Sequence, residues 1–540
     1  MARKNERKIL SFSTTIRNPR RICEFLAILS KFENQELTHE IIMNIVKDVL
    51  KNKLYIPRAM KDILLKNNFE DKNYIFTDEE LNYIIQKSPQ NHKEKNFELG
   101  WESRFDTWYK LMSEFGFCYY SKNKKILISE SGKILINAVY DIHNNVFKDD
   151  CDESLIGSIF LNALSKYEIG NPYKKNLNYN NPLRVLLKLL QKLKINNKSP
   201  LNIKEIPILL CWHNNNTEEL YQYIIDLRNE NYDLTSIHFN YSDEVIYTKC
   251  LELLESNNQK RFKFNQVIKE AVDEYIRKMR ITGVISIRGN GKFIDINSDE
   301  IEKVKYIINL NSCFTGNYLD DSEANKLNFY NYMAEIDSYL ITTKQISTDN
   351  TNKKIDKLKE FANIYQAESI KKELMITCSK KQSSKDDLLK LIDRPLRFEF
   401  LTAIYLTQNF SNLHVIPNYK SDDEGYPIFT ASGGKADIIA FDENTESYIE
   451  VSLIQDRTQT ANEMIPITRH LQEYIKNSTN NKNKFSVFIA PNIHSDVKTY
   501  AQFAKDKFKI NIPYYNISDF IAKVEDSEEI IDLNDESLLI

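Results

Sequence analysis

Apolar positions in residues 101–115 recur at helical spacing, with Phe105, Trp108, Leu111 and Phe115 on one face. Gly116 stops that helix. Two short apolar runs, "FCYY" and "KILI", follow, joined by the polar "SKNKK". Such a pair reads as a hairpin. Ser131-Gly132 then opens another helix. The same succession returns in "FNQVIKEAVDEYIRKMRITGVISIRGNGKFIDINSDEIEKVKYII". There a helix over 264–281 is ended by Gly283. "VISI" and "KFIDI" flank Asn290-Gly291, a type I′ turn signal, and a helix follows from about Asp299. Helix, hairpin, helix is the signature of a winged-helix module, and the chain uses it twice, near 99–142 and 264–310. Helical patterns also cover "PRRICEFLAIL" and its sequel through residue 66, "NPLRVLLKLLQKLK" and "EELYQYIIDLRNENYDL".

Beyond residue 310 the texture changes twice. Residues 318–393 hold few strand signals and many charges at helical spacing, which predicts a helical connector. From Pro395 the helix "RFEFLTAIYLTQN" leads into the β-rich runs "HVIPN", "ADIIAF" and "SYIEVSL". A helix over 459–476, the strand "FSVFIAP", a helix, the strand "INIPYY" and a last helix complete an α/β domain. The expected architecture is multidomain: a helix-rich region over 1–310, a helical linker over 311–390 and an α/β domain with a mixed central sheet over 391–540.

Composition narrows the partners. The chain has 540 residues, too many for one core, and 42% hydrophobic with 28% charged residues is an ordinary globular mix. A formal net charge of −3 means that nucleic-acid contact must come from local basic patches. The seven cysteines are scattered, which suits reduced structural thiols. No signal-peptide pattern or membrane-length apolar run occurs, so a soluble protein of the cytoplasm, without membrane contact, is expected.

The candidate chemistry sits in "GGKADIIAFDENTESYIEVSL". Asp437 heads one apolar run and Glu450 lies inside the next, where carboxylates are costly unless paired. If the runs form a hairpin, both acids reach one end of the sheet, and the Val451 carbonyl can point there too. Two carboxylates and a carbonyl suit Mg2+, which can activate water and offset charge on a phosphoryl transition state. The next helix, "TQTANEMIPITRHLQEYI", puts Gln459 and Glu463 on one face, with His470 two turns beyond and Pro466 between them as a kink. Glu399 can approach from the helix before the sheet. Each has a plainer reading: His470 as a cap, Glu463 as a solvated acid, Gln459 bonded within its helix, Lys435 as an exposed charge.

The segment "GGKADIIAFDENTESYIEVSLIQDRTQTANEMIPITRHL" resembles the cleavage domain of the AlwI family of type IIS restriction endonucleases, within the PD-(D/E)XK nuclease superfamily. The resemblance implies Asp437, Glu450, the Val451 carbonyl and Glu399 around a Mg2+ ion, with Mn2+ tolerated. It implies Glu463 and His470 as further catalytic groups, matching the family's "E-x-x-P-V-T-R-H" stretch. Ala436 replaces the superfamily's proline before the aspartate. Ser452 stands where the superfamily has lysine and this family tends to have Ser or Thr. Which of Glu463, His470 and Gln459 positions the attacking water stays open.

More weakly, "TTIRNPRRICEFLAIL", "NPLRVLLKLLQKL" and "KMRITGVISIRGNGKFIDIN" resemble the recognition half of these enzymes. The implied function is cleavage of double-stranded DNA a few base pairs outside a short asymmetric site, leaving 5′-phosphate ends. The implied setting is a bacterial cytoplasm with a cognate DNA methyltransferase. A second subunit or a transient homodimer would supply the second cut. A strand-specific nickase or the large subunit of a heterodimer is the alternative. A DNA-binding regulator with a dead nuclease domain is more distant. Phosphates take Lys or Arg, and guanine favours Arg. The expected DNA contacts are Arg17, Arg20, Arg21, Arg104, Lys110, Arg277, Arg280, Arg288 and Lys292. Arg104 is the preferred base reader, and Arg288 and Lys292 flank the wing turn.

Overall fold

The computed structural model describes all residues except 1–4, 13–15, 17–18, 67–73, 91–98, 149–150, 232–240, 342–350, 380, 432–433, 536 and 538–540. It is helix-rich with a mixed sheet near the C-terminus. The chain divides into two compact units, residues 1–63 with 75–345, and residues 346–540 with 64–74. Helices within 311–390 fall in both: Glu323–Ala334 and Ser338–Ile341 in the first, Thr351–Ile364 and Ala367–Cys378 in the second.

In the first unit, α1 (Trp101–Glu114) buries Phe105, Trp108 and Leu111. Large side chains so buried contribute roughly 1.5–3 kcal/mol each. Gly116 turns the chain at φ +73°, and a Cβ there would lie 2.5 Å from the Met333 carbonyl carbon, so only glycine fits. The hairpin of β1 (Cys118–Tyr119) and β2 (Leu127–Ile128) follows, then α2 (Glu130–Val139), capped by the Ser129 hydroxyl.

The second succession has the expected order with three differences. A short strand, β3 (Leu201–Asn202), pairs with the hairpin of β4 (Ile285–Arg288) and β5 (Phe293–Ile296), in the order β3-β5-β4. The turn spans four residues rather than two, with Gly289, Asn290 and Gly291 all at positive φ. The preceding helix opens with a π-helical stretch, Gln266–Glu270, before α3 (Ala271–Ile281). Most of α3 is buried, including Glu274, Lys278 and Arg280. Gly283 ends it at φ +74° with open space where a Cβ would be. Next comes α4 (Ile301–Asn309).

The second unit is built on a five-stranded sheet. Its elements run α5 (Arg394–Asn409), β6 (His414–Pro417), β7 (Ile438–Phe441), β8 (Thr445–Val451), α6 (Ile465–Asn477), β9 (Asn483–Ala490), α7 (Ser495–Phe508), β10 (Tyr514–Asn516) and α8 (Ile517–Glu525). The strand order is β10-β9-β8-β7-β6. The pairs β6–β7 and β7–β8 are antiparallel, while β8–β9 and β9–β10 are parallel, so the sheet is mixed. Two features differ from expectation. A small hairpin, Lys420–Ser421 with Pro427–Phe429, lies between β6 and β7. The helix expected over 459–476 begins as a π-helical turn, Thr460–Met464, in which the Ile465 N–H bonds to the Thr460 carbonyl. Pro466 has no N–H to donate to the preceding turn, and the wider turn accommodates that gap.

Side chains alternate across the sheet. Tyr448, Phe488 and Ala490 join Met464, Ile467 and Leu471 of the α6 segment and Val497, Ala501 and Ala504 of α7 in one core. α5 and α8 pack on the other side, where Phe398, Leu401 and Phe520 are buried.

Candidate active site

The β7–β8 ladder pairs Ile438 with Ile449 and Ile439 with Tyr448. Continued by one residue, it sets Asp437 opposite Glu450, on the same face as Tyr448. Directly opposed side chains in such a pair lie about 5 Å apart at Cβ. The hairpin expected from sequence is therefore present, and both carboxylates share its open end. Asp437 Oδ2 accepts the Val451 N–H at 2.9 Å, a charge-assisted bond that fixes the carboxylate across the strand pair.

The backbone around Asp437 is held from several sides. The Asn418 N–H donates to the Asp437 carbonyl at 2.8 Å, and the Asn418 amide donates to the Ala436 carbonyl at 2.7 Å. The Ala436 N–H donates to the Tyr474 hydroxyl at 3.1 Å. Burial, with the Glu450 carboxylate adding, pushes the Tyr474 phenol up. Neither Asn418 nor Tyr474 is singled out by the sequence, because both act through contacts made only after folding.

α6 delivers His470, and the π-helical turn before it delivers Glu463. His470 Nδ1 lies 3.7 Å from Glu450 Oε1, and both side chains are largely buried. The Ser452 hydroxyl donates to Glu463 Oε1 at 2.7 Å and accepts the Ile454 N–H at 3.1 Å. Ser452 thus recruits Glu463 from the π-helical turn. Gln459 is spent on structure: its amide donates to the carbonyls of Ile454 and Asn492 and accepts the His494 N–H. Lys435 is exposed. Glu399 is buried on α5, and its Oε2 accepts the Ala431 N–H at 3.3 Å, in the segment leading to Asp437. Burial pushes the nearby Tyr419 phenol up, with the Glu399 and Asp422 carboxylates adding to it.

Among the described residues, no three His, Cys, Asp or Glu side chains group closely enough to hold a metal by themselves. What the strands offer a cation is the pair Asp437 and Glu450, with backbone oxygen at Val451. These are hard oxygen donors, and a carboxylate that accepts one N–H keeps lone pairs for a cation. The set fits Mg2+, which commonly takes one or two carboxylates and fills its remaining positions with water and substrate phosphate.

The basic residues divide. Lys292 is exposed at the β4–β5 turn. Arg288 is tied back to the Ile296 carbonyl and lies 3.7 Å from Asp295. Arg104 donates to Gln90 at 2.7 Å and lies over the Tyr55 ring. Arg20 binds the Lys148 carbonyl and pairs with Glu24, and Arg21 binds the Leu54 carbonyl. Arg277 pairs with Asp273. Lys110 lines a cleft of about 610 Å³ in the first unit, together with Lys122, Lys174 and Tyr120. Arg280 departs from expectation: at 6% exposure it is buried and presents no surface to DNA, because α3 turns nearly all its faces inward. Arg17 lies outside the described residues.

Comparison with known proteins bears on the identity. The small subunit (R.BspD6I2) of the heterodimeric restriction endonuclease R.BspD6I is 28% identical, covering 25% of this chain and 70% of its own, at a TM-score of 0.23. Restriction endonuclease FokI is 10% identical over 96% of both chains, at a TM-score of 0.25. FokI bound to DNA is 12% identical over 96% of both, at 0.23. No curated protein matches. The family model described as AlwI restriction endonuclease matches residues 113–360 and 330–517, most of the chain. On that match the chain belongs to the AlwI restriction endonuclease family, whose chemistry is that of a type II site-specific deoxyribonuclease.

Proposed function

We propose that the protein is a Mg2+-dependent type IIS endonuclease, cutting a phosphodiester a few base pairs outside a short asymmetric site and leaving 5′-phosphate and 3′-hydroxyl ends. The observation that carries this reading is the meeting of Asp437 and Glu450 at one end of the β7–β8 hairpin, with His470 beside Glu450 and Glu463 bonded to Ser452. Asp437, Glu450 and the Val451 carbonyl would hold the ion. A bound Mg2+ supplies a lowered water pKa and charge stabilisation at phosphorus. Ser452 fixes one oxygen of Glu463, and the imidazole of His470 lies beside Glu450. With Gln459 bonded to backbone groups, Glu463 and His470 are our candidates for accepting a proton from the attacking water. Glu399 supports the loop before Asp437.

In this reading residues 1–310 recognise the site, 311–390 connect and 391–540 cleave. Winged-helix-like modules near 99–142 and 264–310 are supported by the helix–hairpin–helix order at both places and by β3 beside the second hairpin. One such centre cuts one strand, so a double-strand break needs a second copy or a partner subunit.

The test is supercoiled plasmid incubated with Mg2+ and with EDTA, followed by sequencing of the ends. Cuts at a fixed offset from a common sequence, absent in EDTA, are expected. A protein that binds DNA and leaves diverse plasmids intact refutes the reading. A product that stops at the open circle with excess enzyme identifies a nickase.

A further inference from the structure

The peptide entering Asp437 is fixed by a residue outside the acid–histidine set. Ala436 is fully buried. Its carbonyl is taken by the Asn418 amide, and its N–H by the Tyr474 hydroxyl. A buried N–H without an acceptor is costly, so this bond is a requirement of the site rather than an ornament. The Tyr474 ring is itself held. It stacks on Tyr448 with centroids 4.0 Å apart and planes 3° from parallel, and the Tyr448 hydroxyl is pinned to Glu446 at 2.8 Å. Tyr474 follows His470 by four residues on α6, so both project from one helix face. His470 meets Glu450 from that face, and Tyr474 meets the residue before Asp437. One helix thereby reaches Glu450 directly and Asp437 through its neighbour Ala436.

We propose that Tyr474 is a positioning residue for Asp437, acting through the Ala436 N–H, so that the two acids are spaced for a cation before one arrives. This rests on the cleavage reading above. It also gives the alanine at 436 a reason: the position needs an N–H, which proline lacks.

Tyr474→Phe tests the idea, since it keeps the stacked ring and removes only the hydroxyl. DNA-free melting with increasing Mg2+ is the first readout. The variant should need roughly tenfold more Mg2+ than wild type for the same rise in Tm. Single-turnover cleavage should fall about 10–100-fold, the range for residues that orient metal ligands. Affinity for DNA without Mg2+ should stay within about twofold. In an Ala436→Pro background, which has no N–H to lose, adding Tyr474→Phe should cost nothing further. Wild-type Mg2+ response and wild-type cleavage in Tyr474→Phe would overturn the inference while leaving the cleavage reading intact. Additive losses in the proline background would overturn it too. If that background does not fold, the Mg2+ titration of Tyr474→Phe decides alone. A wild type that neither cleaves nor responds to Mg2+ removes the cleavage reading and this inference with it.

Discussion

Asp437→Asn separates what the carboxylate does for the fold from what it does for a cation. An asparagine oxygen can still accept the Val451 N–H, now as a neutral bond. The exchange of a charge-assisted bond for a neutral one costs about 1 kcal/mol. Against that, the ladder puts Asp437 opposite Glu450. Two charges about 5 Å apart repel by roughly 3 kcal/mol at an effective dielectric of about 20. Asp437 is partly exposed, so solvent reduces this to about 1–2 kcal/mol. In EDTA the two effects nearly cancel, and the variant should unfold in urea within about 1 kcal/mol of wild type, on the stable side if anything. With Mg2+ they diverge. Wild type gains about 1.4 kcal/mol when the ion is at ten times its Kd, and the variant should gain almost nothing. Cleavage should fall by about 10³ or more, since losing about 4 kcal/mol of transition-state stabilisation gives that factor. Paired urea melts in EDTA and in Mg2+, with plasmid cleavage on the same preparations, provide the measurement. Undiminished Mg2+ stabilisation in the variant, or a loss of about 3 kcal/mol in EDTA, would show that the carboxylate serves the fold and not a cation.

Ser452→Ala breaks the bond that holds Glu463, and single-turnover cleavage should drop about tenfold with only about 1 kcal/mol lost in urea unfolding; an unchanged rate would remove Ser452 from the site. Gly116→Ala and Gly283→Ala impose the same left-handed strain, but only the first meets backbone, at Met333. Gly283→Ala should cost about 1–2 kcal/mol and Gly116→Ala clearly more, and equal losses in urea would contradict the packing described. Lys292→Ala removes an exposed charge at the β4–β5 turn. It should weaken DNA binding modestly and reduce the salt slope by about one. Arg280→Ala, at a buried position, should lower the urea midpoint and leave that slope unchanged.

What sequence alone reveals follows from how local each signal is. Strands β6 to β9 and the helices around them are legible because their apolar runs are bounded by clear turn residues, whereas the run "INIPYY" is a strand only from Tyr514. Gly116 and Gly283 are legible because a left-handed helix end is a one-residue requirement. The acids stand out because a carboxylate in an apolar run is anomalous. The π-helical turn at Thr460–Met464 is hidden, since Pro466 signals a kink without saying how it is absorbed. Lys278 and Glu274 look like a solvated pair four residues apart, yet both are buried. The Lys420–Ser421 hairpin arm is too short and polar to register. Asn418 and Tyr474 carry no anomaly of type or spacing, and their roles exist only in the closed sheet.

Gln459 gives this edge of the sheet a particular kind of stiffness. Its one amide ties the segment after β8, through Ile454, to the loop after β9, through Asn492 and His494. These loops cannot fray one at a time, because opening either breaks bonds belonging to the other. Amide hydrogen exchange should show it. The His494 N–H, although in a loop, should exchange only with a larger opening that also releases the Ser452 N–H from the Ile489 carbonyl. The edge where a cation and a phosphate would meet then belongs to the slowly exchanging core rather than to the mobile surface that loops usually form.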